Sequence, residues 1–229
     1  MNTAAIQRLL PSALRGYILH FETVIEEAVR RFASALPPKS RVLDAGAGEA
    51  KHARFFEQHF YCGVDLAIGD PRWNYAKLSV VADLSSLPFR GGCFDACLNI
   101  VTLEHVREPG QVLREIARTL DDGGRLLLVA PQEWEVHQAP HDYVRFTRHG
   151  LRHLLETSGF TEIDIQPVGG YFRLLARRLL NSLQFSPWPL FPVVALLVAP
   201  PALLLPMLDR LDRDRNFTLG YICRARKFS

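Results

Sequence analysis

The stretch Val42–Ala50, VLDAGAGEA, constrains this chain more than any other. Val42 and Leu43 are apolar and β-prone, so Arg41–Ala45 reads as a buried strand. Gly46 and Gly48 then permit a turn with backbone angles that other residues resist. Lys51–Phe60 follows with a helical pattern. A strand, a glycine turn and a helix in sequence bring unsatisfied backbone N–H groups and a helix N-terminus into one small space. Such a space suits the carboxylate or phosphate of a nucleotide-like ligand.

The same unit repeats along the chain. Tyr61–Leu66 (YCGVDL) and Leu78–Ala82 read as short strands, each with an acid at its carboxyl end, Asp65 and Asp83. Phe94–Ile100 is a fourth buried strand, and Asp121–Pro131 supplies a turn and a fifth. Pro109 opens a helix to Leu120, with Val112, Ile116 and Leu120 on one face. Thr147 is placed to cap a helix over Arg148–Ser158, which Gly159 stops. Thr161–Val168 alternates as a sixth strand, and Phe217–Ala225 reads as the last. Strand–turn–helix repeats of this length indicate a doubly wound parallel α/β sheet, which binds ligands beyond the carboxyl ends of its strands. Upstream, residues 11–35 form an amphipathic helix carrying Leu14, Tyr17, Ile18, Phe21, Ile25, Ala28, Val29 and Phe32 at helical spacing, and Pro37-Pro38 ends it.

The Val42–Ala50 turn, the acids at Asp65 and Asp83, the run ADLSSLPF (Ala82–Phe89), Asp95 after Phe94, and VTLEHV (Val101–Val106) together resemble class I S-adenosylmethionine (SAM) methyltransferases, in their small-molecule, type 11-like branch. Lys51 occupies the third glycine position of the dinucleotide fingerprint, which separates the two families. Ala50 stands where members of the methyltransferase family often carry a further glycine. The resemblance covers Arg41 to about Val168. It implies a Rossmann-like seven-stranded sheet in the order 3-2-1-4-5-7-6 with the last strand antiparallel. It implies SAM as cofactor, held by Asp44 at the methionine end and by the turn Gly46, Ala47 and Gly48. Asp65 and Leu66 would take the ribose, Asp83 and Leu84 the adenine, and Ile100 and Thr102 would line the same site. The domains expected are a helical cap over residues 1–40, a SAM-binding core over 41–168, and a C-terminal segment over 169–229 that returns the last strand.

Methyl transfer to a hydroxyl needs a group to take its proton, and histidine suits that task near neutral pH. His105 and His137 are the candidates, with His141 third. Each has a structural alternative, a hydrogen bond at a strand end or in a loop. Pro131–Thr147 resembles the acceptor loop of the branch, and its Tyr143 and Arg145 could bind an acidic acceptor. No metal site is expected, because Pro140 disrupts a helical His137–His141 face and no third histidine or cysteine is near.

From Leu179 to Leu208 no residue is charged, and six prolines interrupt the run, Pro200-Pro201 at its middle. Broken there, each half would span roughly 15 Å as helix, half a bilayer core. Two readings stay open: a lid or oligomer contact, or an element dipping into a membrane surface beside Arg173, Arg177, Arg178, Arg210, Arg213 and Arg215. Asp209, Asp212 and Asp214 offset the second arginine group.

A net charge of +3 over 229 residues does not call for a nucleic-acid partner. Cys62, Cys93, Cys97 and Cys223 form no zinc-type pairs and read as reduced thiols of a cytoplasmic protein. The functional expectation is methyl transfer from SAM to a small-molecule or lipid-linked acceptor, in the cytoplasm or at the inner face of a membrane. Two alternatives differ in class: a catalytically idle adaptor of the same fold at a membrane or partner surface, and an NAD-dependent oxidoreductase.

Overall fold

The structure is a computed structural model and describes residues 16–228; the beginning of the expected N-terminal helix lies outside them. Helix α1 spans His20–Ser34, followed by β1 (Arg41–Ala45), β2 (Phe60–Asp65), β3 (Val80–Val81) and β4 (Phe94–Ile100). Helix α2 (Pro109–Thr119), β5 (Leu120–Pro131), α3 (Arg148–Thr157) and β6 (Phe160–Val168) come next. Helices α4 (Tyr171–Ser182) and α5 (Phe191–Leu204) precede β7 (Gly220–Lys227).

The seven strands run in the order β3-β2-β1-β4-β5-β7-β6, with β7 antiparallel to β5. The central strands are hydrophobic because both faces are covered. Val42, Leu43, Ala45, Ala96, Cys97, Leu98 and Leu126–Ala130 are all at most 1% exposed. Strands β1 and β4 coincide with the apolar runs that the sequence marks. The described residues divide into two compact units, one of residues 25–166 with 220–228, the other of 16–24 with 167–219.

Three local expectations fail in the sheet unit. The helix over Lys51–Phe60 is only a 3-10 turn at Ala53–Phe55. Ala50 has φ +54°, so no continuous right-handed turn can start there. The backbone instead closes with i→i−3 bonds, Ala53 N to Ala50 O at 3.1 Å and Phe56 N to Ala53 O at 2.9 Å. The third strand shrinks to Val80–Val81, an edge pair hydrogen-bonded only to β2. The turn N–H groups are also not bare. Gly46 N and Ala47 N donate to Val64 O at 2.8 and 3.0 Å, and Gly48 N donates to Asp65 Oδ2 at 2.9 Å.

In the other unit, Pro200-Pro201 does not break the apolar run. Helix α5 passes through both prolines and continues as 3-10 turns over Leu205–Leu211. Proline's fixed φ already matches a helix, so the pair forfeits ladder hydrogen bonds while the helical run continues. Phe191–Leu211 is one 21-residue stretch, long and apolar enough to cross a membrane by length and composition, and 11% of its apolar window is buried. Asp209 and Asp212 have a task other than offsetting arginines. Asp209 accepts from Gly170 N and Arg173 N at 2.9 and 3.0 Å, and Asp212 from Tyr171 N at 2.7 Å. Both cap the N-terminus of α4, where a negative charge faces the positive end of the helix dipole.

Candidate functional site

The carboxyl ends of β1, β2 and β4 come together around the glycine turn. Gly46 has φ +88°, and a Cβ placed there would lie 2.2 Å from Thr102 Cγ2 and 2.3 Å from Thr102 Oγ1. Thr102 Oγ1 donates to Gly46 O at 3.2 Å or to Ile100 O at 3.1 Å, and Asn99 Nδ2 donates to Ala45 O at 2.8 Å. The turn after β1 is therefore locked to the segment after β4. Between Ile100 and Thr102, Val101 sits at φ +51°, an unfavourable conformation for a β-branched residue that clusters at functional sites.

Three carboxylates line this end. Asp44 is 1% exposed and accepts from the Tyr61 hydroxyl at 2.6 Å; burial raises its carboxyl to about 6, against that hydrogen bond. Asp65 bridges two loops, taking Gly48 N on one oxygen and Ala67 N, at 2.8 Å, on the other. Asp83 is exposed and accepts from Ser85 N at 2.8 Å, with Leu84 buried behind it. Leu66 is exposed, Ala47 buried, Ile100 8% exposed and Gly48 half-buried. The indole of Trp73 lies about van der Waals distance from Gly48, 3.4 Å from where a Cβ would stand. Asn74 N donates to Glu49 Oε1 at 3.0 Å and fastens that loop over the turn. Asp95 is apart from this group, at the start of β4, where it accepts from Arg41 N and pairs with the Arg41 guanidinium.

A second cluster forms two residues beyond Thr102. The 3-10 turn Leu103–His105 carries Glu104 inward, and its side chain is 0% exposed. Burial pushes the Glu104 carboxyl up to about 8. The loop after β5 docks on this turn through Tyr143 N to Glu104 O at 2.9 Å, and His105 Nδ1 lies 2.6 Å from His141 O. His137 stacks edge-on against His105, ring centres 4.6 Å apart. Burial lowers the His105 imidazole below its usual range, so its neutral form is favoured. Arg145 does not point to open space. It grips Asp142 with two bonds of 2.5 and 2.7 Å, holding that carboxyl down at about 2, and Asp142 Oδ2 in turn accepts from His137 N at 2.9 Å. Tyr143 is 38% exposed, with the Arg107 guanidinium 5.4 Å from its ring centre; its hydroxyl lies 3.1 Å from His141 Nδ1.

The structure thus gathers His105, His137, His141, Tyr143 and Arg145 on one loop–turn junction, and Asp44, Gly46, Gly48, Asp65 and Thr102 on the adjacent turns. Two participants were not singled out from sequence. Glu104 is visible in the sequence only as part of VTLEHV, where it follows Leu103 four residues past the end of β4 and precedes His105. Tyr61 carries no sequence signal for its bond to Asp44.

Residues 43–128 match the family described as "Methyltransferase domain" (Methyltransf_11). Over these residues the chain is similar to class I SAM-dependent methyltransferases. Over 112 residues it is 30% identical to a tRNA (carboxymethyluridine(34)-5-O)-methyltransferase of Xenopus tropicalis, covering 47% of this chain and 17% of that protein. The chain spans about a fifth of the length of the first curated relatives it matches. Two solved structures share the fold. The [4+2]-cyclase SpnF superposes with TM-score 0.59 at 21% identity, covering 89% of this chain and 81% of that one. Phosphoethanolamine N-methyltransferase 2 of Haemonchus contortus, solved with SAM, gives 0.58 at 14%, covering 89% and 52%.

The donor set fits the cofactor of such a domain. Besides its carboxylate, SAM presents a sulfonium, an ammonium, ribose hydroxyls and an adenine amine, which are cations or donors. The strand ends of this chain offer carboxylates, which accept only when ionised.

Proposed function

We propose that the protein transfers the methyl group of SAM to a small-molecule or amphiphilic, lipid-linked acceptor. The observation that carries the reading is Asp65, a carboxylate at the end of β2 fastened to the glycine turn through Gly48 N at 2.9 Å. Asp65 and Leu66 would hold the ribose, Asp83 and Leu84 the adenine, and Asp44 the cationic end, with Gly46, Ala47, Gly48, Ile100 and Thr102 closing around them. Bound SAM supplies an electrophilic methyl on a sulfonium and leaves as a neutral thioether, so the departing group needs no acid. The task of the protein is orientation and exclusion of water. Asp44 and Thr102 fix one partner. The junction of His105, His137 and His141 receives the other and handles its proton. The Arg145–Asp142 pair serves to position His137, and Tyr143 stands at the exposed rim.

The apolar stretch Phe191–Leu211 favours an amphiphilic acceptor and a place at the inner face of a membrane. Trp188, Leu196, Leu197 and Met207 are each more than 60% exposed, a surface suited to acyl chains. The named relative of Xenopus tropicalis supports a second reading, an RNA acceptor. Labelled SAM, incubated with the protein and with separate lipid, small-molecule, protein and RNA extracts, decides between them. Label is expected in the lipid or small-molecule fraction; label confined to RNA would establish the second reading and overturn the first.

A further inference from the structure

Glu104, His105 and His137 place their ligand atoms within 4.8 Å of one another. We propose that these three side chains bind a divalent transition-metal ion.

The argument begins with the carboxylate. Glu104 is fully buried, and among the described residues neither Oε1 nor Oε2 has a hydrogen-bond partner. Burying a carboxyl without a partner costs several kcal/mol, roughly the whole stability of many domains. Two imidazoles face it, His105 Nε2 at 3.7 Å and His137 Nε2 at 3.9 Å from Oε1. A proton on Glu104 does not resolve the arrangement, because both separations exceed hydrogen-bond length. They do fit two ligands of one ion. Ligand atoms about 2.0–2.2 Å from a tetrahedral centre lie roughly 3.3–3.6 Å apart, so the two Glu104–histidine pairs need a contraction of only a few tenths of an ångström, and the histidine pair, within 4.8 Å, needs at most about 1 Å more.

The histidines are prepared for the same task. His105 Nδ1 is 2.6 Å from His141 O, and His137 Nδ1 is 3.1 Å from Glu135 O. Each carbonyl accepts only, so it holds the proton on Nδ1 and leaves Nε2 as a bare lone pair. His105 Nε2 is itself buried without a partner. Three lone-pair bearers thus converge, and among the described residues neither the Glu104 oxygens nor His105 Nε2 has a hydrogen-bond partner. A cation completes the set where a further acceptor would not. The Asp142 carboxylate, gripped by Arg145, accepts from His137 N at 2.9 Å and so holds the backbone of that histidine in place.

Two imidazoles and one carboxylate select first-row transition ions such as Zn²⁺ over Mg²⁺ or Ca²⁺, which prefer all-oxygen shells. Three protein ligands also leave a coordination position open. His137, with a quarter of its side chain exposed, marks the side on which water or an acceptor oxygen would fill it. This last step rests on the methyltransferase reading and deepens it. The acceptor would offer an oxygen, and the two imidazoles would hold it through the ion rather than take its proton directly.

Co²⁺ is the probe, because its visible d–d bands report the ligand field. Metal-free protein is titrated with Co²⁺ near neutral pH, without SAM or acceptor. One equivalent should bind with bands of low, near-tetrahedral coordination, and Zn²⁺ should displace it. Glu104→Gln and His137→Gln should each weaken binding by at least about 100-fold with far-ultraviolet circular dichroism unchanged. His137 is the safer site should the Glu104 variant misfold. Absence of the bands in the native protein, or equal binding by both folded variants, would overturn the proposal. S-adenosylhomocysteine binding is measured on the same samples. Its loss with Co²⁺ binding retained would count against the cofactor assignment alone.

Discussion

Replacing Gly46 with Ala is the sharpest local test of how the glycine turn is locked. Two costs can be read from the structure. A left-handed φ of +88° penalises any side chain by about 1–2 kcal/mol. The new Cβ would stand 2.2 Å from Thr102 Cγ2 and 2.3 Å from its Oγ1, so Thr102 must leave its rotamer or the turn must move. Overpacking of that kind costs about 1–3 kcal/mol more. The sum, roughly 2–5 kcal/mol, is a large part of the stability of a domain this size, and predicts a fall in Tm of about 5–15 °C. In a Thr102→Ala background the two nearest atoms are gone, but the residue 102 Cβ remains at 2.7 Å. About 1–2 kcal/mol should then be recovered, while the backbone penalty persists. Urea unfolding of the four proteins of this cycle gives the coupling directly. A Gly46→Ala variant within about 0.5 kcal/mol of the native protein, or an identical cost in both backgrounds, would refute the reasoning.

Asp44 gives a pH signature. Its folded carboxyl is raised from 3.8 to about 6, so the folded state holds the proton more tightly than the unfolded chain. This contribution to stability is present below pH 4, is lost as pH rises to about 6, and amounts to about 3 kcal/mol. Asp44→Asn should remove that slope from unfolding curves taken across the window; equal slopes would contradict the assignment. Arg145→Ala leaves Asp142, with 3% of its side chain exposed, without its cation, and should cost about 3 kcal/mol in thermal unfolding. A loss under 1 kcal/mol would show that the pair does not hold the loop. Leu196→Asp with Leu197→Asp, both at exposed positions, should abolish flotation with anionic vesicles while leaving Tm unchanged. Undiminished flotation would remove the membrane part of the proposal.

The sheet was legible because its strands are apolar runs punctuated by glycine and by acids at their carboxyl ends. Arg41–Ala45 and Phe94–Ile100 were read to the residue, and the strand order followed from the resemblance. The Lys51–Phe60 segment was not legible. Its apolar spacing suits a helix, but the left-handed Ala50 is imposed by the turn before it and has no local signature. The Pro200-Pro201 pair misled for the opposite reason: proline signals a break, yet its φ also fits a helix that is already running. At the site, the histidines were visible as types and Glu104 was not. Its role depends on which loop covers it, and that contact, Tyr143 N on Glu104 O, joins residues far apart in the chain.

The measurement that bears most directly on the whole account is calorimetric titration of SAM into the native protein and into Asp65→Ala. One molecule of SAM per native chain, and no heat of binding in a variant that circular dichroism shows still folded at the titration temperature, is the expected result. Native-like affinity in Asp65→Ala would contradict a cofactor seated on the carboxyl end of β2.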